Sequence, residues 1–252
     1  MRFKFYKAML KILFAALCTF LMVPGVQAKE KYKGTFIYIP LDDRPVTYSY
    51  PVKNLQAAGY EILTPPEKYL ASADRTGDPD RLWQWLVENA PDADAAVISS
   101  DALIYGGLVA SRTHFFDETT LQARVQRLEM LRERLPMPLY VYSTLMRTPR
   151  ASFGNVEPPY YSKIGPAIFR YSELLDKEDT IGLTLRESLA KQAIKNNLPQ
   201  ADLNDWLQRR LKNYHVNKSL TELTAKYRFH YLAIGKDDNA PLSATHMEAR
   251  YI

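Results

Sequence analysis

Cysteine is almost missing from this chain: one residue, Cys18, in 252. With no second thiol, an intrachain disulfide and a multi-thiolate metal site are both excluded. Glycine is sparse at 10 residues, and no strand runs into a Gly-x-Gly-x-x-Gly turn or a phosphate loop, so nucleotide cofactors are not expected. The Gly-x-Ser-x-Gly elbow of serine hydrolases is absent too. The four histidines, His114, His215, His230 and His246, show no metal-ligand spacing. His215 and His230 read as residues of a helix surface and a strand face. His246 lies near an acidic pair and keeps a claim to a site. Internal repeats and low-complexity segments are lacking.

Acidic residues are missing from the first 28 positions, which hold Arg2, Lys4, Lys7 and Lys11. Removing those four from the 33 Lys+Arg leaves 29 cations against 28 anions, so the rest of the chain is nearly neutral. That gives no electrostatic footprint for nucleic acid. The same N-terminal charges precede an apolar run over residues 12–23, then Pro24-Gly25 and Val26-Gln27-Ala28. This order is that of a cleaved signal peptide with the cut after Ala28. The run is well short of the about 20 residues that span a bilayer. Leu17 before Cys18 argues against a lipid attachment site. The expected organisation is a signal peptide over 1–28, a linker over 29–34, and an α/β domain from 35. The mature chain would then be exported to the periplasm, cell envelope or medium, free of the membrane and without cysteine.

Beyond residue 34 two periodicities alternate. Strand-length apolar runs are predicted at 35–41 (TFIYIPL), 60–63, 95–98, 139–142 and 229–234. Between them lie helical patterns: 52–58 ending at Gly59; one opened by Asp78-Pro79; and one capped by Asp117 with Leu121, Val125, Leu128, Leu131 and Leu135 on one face. Two more follow, one with the capping box Thr184-x-x-Glu187 and one after Asp202. Alternation throughout predicts a mainly parallel sheet, as an incomplete TIM-like barrel or, alternatively, a doubly wound open sheet. A helix begins at Thr245-x-x-Glu248 close to the last residue, Ile252. The chain therefore reads as the N-terminal portion of a longer protein, with a C-terminal half as its expected partner.

Polar side chains gather where the strands end, the rim at which parallel α/β folds bind ligands. The first strand runs into Asp42-Asp43-Arg44, the third into Ser99-Ser100-Asp101, the fourth towards Arg147, and the fifth into Lys236-Asp237-Asp238-Asn239. Each has a plain structural alternative as a cap, a turn or a surface ion pair. Their recurrence on one rim is what points to a site. With no thiol, serine elbow or phosphate loop, carboxylates carry the available chemistry. A pair of them suits general acid/base hydrolysis of glycosidic bonds. Asp237 and Asp238 are the catalytic candidates. Asp42, Asp43, Arg44, Asp101, Arg147, Lys236 and Asn239 would bind the substrate, and Tyr160 and Tyr161 would stack on it. The expected partner is a carbohydrate or other small molecule. Two readings compete: a non-catalytic envelope glycan- or solute-binding protein, and a hydrolase whose strand-end carboxylates hold a divalent metal. Otherwise no cofactor is implied.

Four strings carry a resemblance: IPLDDRP (39–45), SDALIYGGLVASR (100–112), MRTP (146–149) and GKDDNAP (235–241). They resemble a bacterial family known as domain of unknown function 4127, over residues 35–252. Ala102 departs from the larger apolar residue expected there. Members of that family continue further, with another acidic strand-end motif. The resemblance implies a shared site without implying a reaction.

Overall fold

The structure, a computed structural model, describes residues 32–134, 137–151, 155–226 and 228–252. The signal-peptide reading, Leu135 and most of the linker lie outside them. Residues 33–252 form one compact unit.

Five strands, β1 (Thr35–Ile39), β2 (Glu61–Leu63), β3 (Ala95–Ser99), β4 (Leu139–Leu145) and β5 (Tyr231–Lys236), pair in parallel in the order β2-β1-β3-β4-β5. Phe36 lies opposite Ile62 on one side and Ala95 on the other, which puts β1 inside the sheet. A βα barrel would take its strands in sequence and close on itself. Here the chain steps back from β1 to β2, then crosses over β1 to reach β3. The sheet is therefore open and doubly wound, and the barrel expectation gives way to its alternative. Right-handed crossovers that step in opposite directions put their helices on opposite faces, which buries the sheet twice. The strands show this: β1 ends in three buried residues and β3 is buried at four of five positions.

The helices follow local signals. Helix α1 is Ser49–Ala57, and the turn after it uses Gly59 at positive φ. Helix α2 (Pro79–Asn89) starts at Asp78, whose side chain accepts from Asp80 N and Arg81 N, with Pro79 at a position where its missing N–H costs nothing. Two short helices, α3 (Ser100–Ile104) and α4 (Leu108–Thr113), fill the stretch after β3. The long α5 (Glu118–Arg134) is capped by Asp117, whose Oδ1 accepts from Thr120 N at 2.6 Å. Three helices follow β4: α6 (Tyr161–Thr180), α7 (Leu185–Asn197) with the capping box Thr184–Glu187 in place, and the 26-residue α8 (Gln200–Ala225). Helix α9 (Ala244–Tyr251) follows β5, capped by Ser243.

Two buried clusters result. The larger packs Ile37, Ile39, Ile98, Leu139 and Val141 of the sheet against Leu82, Leu86, Leu121, Leu128 and Leu220. The smaller joins Met146, Tyr161, Ile168, Tyr171, Leu203, Trp206 and Ala244 beyond the β4 end. No described helix is long and apolar enough to cross a membrane.

Candidate functional site

At the end of β1 the chain makes an Asx-type turn around Asp42. Asp42 Oδ1 accepts from Arg44 N at 3.2 Å and Arg44 Nε at 3.0 Å, and Oδ2 accepts from Arg44 Nη2 at 2.7 Å. Asp42 is buried, while the Arg44 side chain stays 54% exposed. The Arg44 guanidinium is held further towards its charged form by Asp42 first, and also by Asp237 and Asp43. The ends of β1 and β5 therefore share one electrostatic environment. Asp43 is anchored through its backbone, its N–H donating to Ala71 O at 2.9 Å.

Asp101 sits in the first turn of α3 and is fully buried. Its carboxylate accepts from Thr144 N at 3.0 Å and Thr144 Oγ1 at 2.9 Å, which ties the ends of β3 and β4 together. Burial outweighs those bonds and the nearby Arg112 charge, and pushes the Asp101 carboxyl up to about 7. The Asp101 carbonyl accepts from the N–H groups of Tyr105, Gly106 and Gly107, so the Gly-Gly turn folds back onto α3. That turn aims α4, and α4 delivers Arg112 into the interior.

Arg112 is the hub. Its Nη2 pairs with Asp237 Oδ2, and its Nη1 lies 3.6 Å from Glu157 Oε1. Arg147 Nε donates to the same Glu157 oxygen at 2.7 Å. Side-chain exposure ranks the group: Glu157 2%, Arg112 4%, Arg147 24%, Asp237 28%. Glu157 and Arg112 form the floor, and Asp237 and Arg147 the opening. Desolvation raises the Glu157 pKa against the pull of Arg112 and Arg147, and lowers that of Arg112. Glu157 Oε2 is buried with no hydrogen-bond partner.

Asp238 faces elsewhere. Its Oδ2 accepts from Thr148 N at 2.7 Å and lies 2.7 Å from Thr245 Oγ1, while Oδ1 is 3.5 Å from Ser243 Oγ. Neighbouring residues past a strand end thus carry separate partner sets, as alternation of side chains along a strand dictates. Lys236 and Asn239 are exposed on the rim. The Tyr161 ring is 1% exposed inside the smaller core, with its hydroxyl donating to Pro149 O at 2.9 Å. Tyr160 packs against the same core and donates to Asp205 Oδ2 at 2.6 Å. Packing therefore occupies the faces that stacking would use. His246 Nδ1 lies 2.7 Å from the fully buried Asp176, which also accepts from Ser243 N and Arg250. Among the described residues no group of three or more His, Cys, Asp or Glu side chains is placed to hold a metal ion.

The structure thus brings Asp42, Arg44, Asp101, Arg147 and Asp237 to neighbouring ends of β1, β3, β4 and β5. Two contributors escaped the sequence-level list. Arg112 stood in a recognised string without a stated role. Glu157 lies in an aperiodic, proline-punctuated stretch with no strand end to mark it. The only sequence signal for it was an isolated acid before Pro158-Pro159.

Carboxylates and guanidinium groups thus interleave at the carboxyl rim of an open, all-parallel α/β sheet. Residues 36–252 match the family described as "Protein of unknown function (DUF4127)", and the chain belongs to that family. No curated protein and no solved structure matches it.

Proposed function

We propose that this rim is the active site of a carboxylate-based hydrolase acting on glycosidic bonds of a carbohydrate. The observation that carries the reading is a pair of carboxyl groups in contrasting surroundings on one guanidinium. Asp237 faces Arg112 at the opening, and Glu157 is buried, with desolvation raising its pKa above the ordinary carboxyl value. Contrasting environments of this kind separate a proton donor from a carboxylate that attacks or activates water. Sharing Arg112 holds the two carboxyl groups on either side of one guanidinium. Glu157 thus stands in place of Asp238 beside Asp237 in the expected catalytic pair, since the oxygens of Asp238 serve Thr148, Thr245 and Ser243. Asp101 holds the β3 and β4 ends in register, and Arg44, Asp42 and Asp43 line the β1 side.

The test is turnover of a panel of aryl glycosides by the purified full-length protein, with Asp237→Asn and Glu157→Gln beside it. Each variant is expected to lose about 100- to 10,000-fold in kcat while still binding ligand. Activity should fall on the alkaline side as Glu157 loses its proton. Unchanged turnover in both variants would overturn the assignment.

Export is proposed as well, supported by the charged and apolar order of residues 1–28. N-terminal sequencing of secreted material should begin at Lys29; material starting at Met1 would count against it.

A further inference from the structure

Arg147 makes unusual use of its guanidinium. Only Nε has a side-chain partner, Glu157 Oε1 at 2.7 Å. Among the described residues Nη1 and Nη2 have none, and the side chain is 24% exposed at the mouth of the cluster. Arg112, by contrast, spends both Nη groups, on Asp237 and Glu157, and is sealed in. The two cations lie close enough for Arg147 to disfavour the charge on Arg112. One carboxylate, Glu157, stands between them, and its other oxygen is buried without a partner.

A guanidinium fixed through Nε and free at both Nη atoms is a preorganised fork. Its geometry matches the two oxygens of a carboxylate, and little rotamer freedom remains to be lost on binding. The local charge points the same way. Asp237 compensates Arg112, and Asp42 compensates Arg44 through a two-pronged contact. Glu157 is shared between Arg147 and Arg112, so one carboxylate serves two cations. A partly desolvated cation in that position is stabilised by an anion from the ligand.

We infer that the substrate is an acidic sugar, its carboxylate gripped by the free Nη pair of Arg147 beside Asp237 and Glu157. This rests on the hydrolase reading for the word substrate, but the binding claim stands apart from turnover.

The experiment is calorimetric titration of the full-length protein with glucuronate, glucose and inorganic phosphate. Glucuronate should bind at least about tenfold more tightly than glucose, because only glucuronate offers a carboxylate that the fork can engage with two charge-assisted hydrogen bonds. Arg147→Gln should remove that preference. Arg147→Lys keeps a charge beside Glu157 but has no fork, so it should fold normally by thermal melt and still lose most of the preference. Equal binding of glucuronate and glucose, or a preference unchanged in Arg147→Lys, would overturn the inference. Phosphate binding more tightly than glucuronate would overturn the sugar-carboxylate assignment. Arg147-dependent glucuronate binding by a protein that turns over no glycoside would sink the hydrolase reading alone and leave the acidic-sugar site standing.

Discussion

At the residue scale, burial rather than sequence neighbourhood decides what each carboxylate does. Asp101 is neutral up to about 7 in the folded protein and ionises near 3.9 in an unfolded chain. Between those values folding takes up a proton, so this group's contribution falls as pH rises through that window. Asp101→Asn keeps an acceptor for Thr144 and removes the titration. Urea unfolding across a pH series should show a flatter dependence in the variant, with a difference on the order of a few kcal/mol across the window. Glu157 and Glu248 act in the same direction, their pKa values being raised by burial, so the variant–parent difference is the readout. Parallel curves would rule the idea out. The sequence pointed to Asp101 because it follows a strand, but a carboxylate sealed under Thr144 and one open to ligand look identical in one dimension. Asp237 and Asp238 show the same limit: which of two adjacent acids faces the opening depends on where β5 ends.

At the element scale, local signals with a single physical meaning transferred well. Asp78-Pro79, Asp117 and Thr184–Glu187 all open helices where expected, because caps satisfy N–H groups that the helix itself cannot. The apolar runs became strands with ends shifted by at most three residues; β4, for instance, continues to Leu145. Hydrophobic periodicity says nothing about where ladder bonds stop. Strand order was not legible, since an open sheet and a barrel share the same alternation. The 100–112 string hid two helices around its Gly-Gly turn. Gly106 and Gly107 adopt φ of 94° and 124°, and a Cβ at Gly107 would lie 2.6 Å from Ala71 Cβ. At Gly182, φ is 82° but nothing lies within 4 Å. Gly182→Ala should therefore cost only the conformational penalty, about 1–2 kcal/mol. Gly107→Ala should exceed it by about 1–3 kcal/mol through overpacking, and should also impair ligand binding by tilting α4 and Arg112. Equal losses of melting stability in the two variants would show that Gly107 is not a packing position.

At the scale of the whole molecule, the two cores are joined by a polar knot rather than by apolar packing alone. Arg210 on α8 meets Glu248 on α9 through two bonds of 2.7 and 2.8 Å, and its Nη1 donates to Thr148 Oγ1 at 2.9 Å. Thr245 Oγ1 lies 2.7 Å from Asp238 and 2.8 Å from Met146 O, with one proton to share between them. Asp238 thus belongs to the assembly of β4, β5, α8 and α9. Burial raises the Glu248 pKa against the pull of Arg210, so removing Arg210 leaves a desolvated acid without its partner. Arg210→Ala is expected to destabilise the protein by about 3–5 kcal/mol, whereas Arg210→Met combined with Glu248→Leu should recover most of that loss, since apolar replacement of both partners removes the desolvation cost as well. Native-state hydrogen exchange locates the effect. In Arg210→Ala, amides of α8 and α9 should lose protection while those of β1 and β3, packed in the larger core, keep theirs. A uniform fall in protection would mean that the two cores open together. In that case the knot stabilises one cooperative unit, and Asp238 does not mark a boundary that can loosen beside the site.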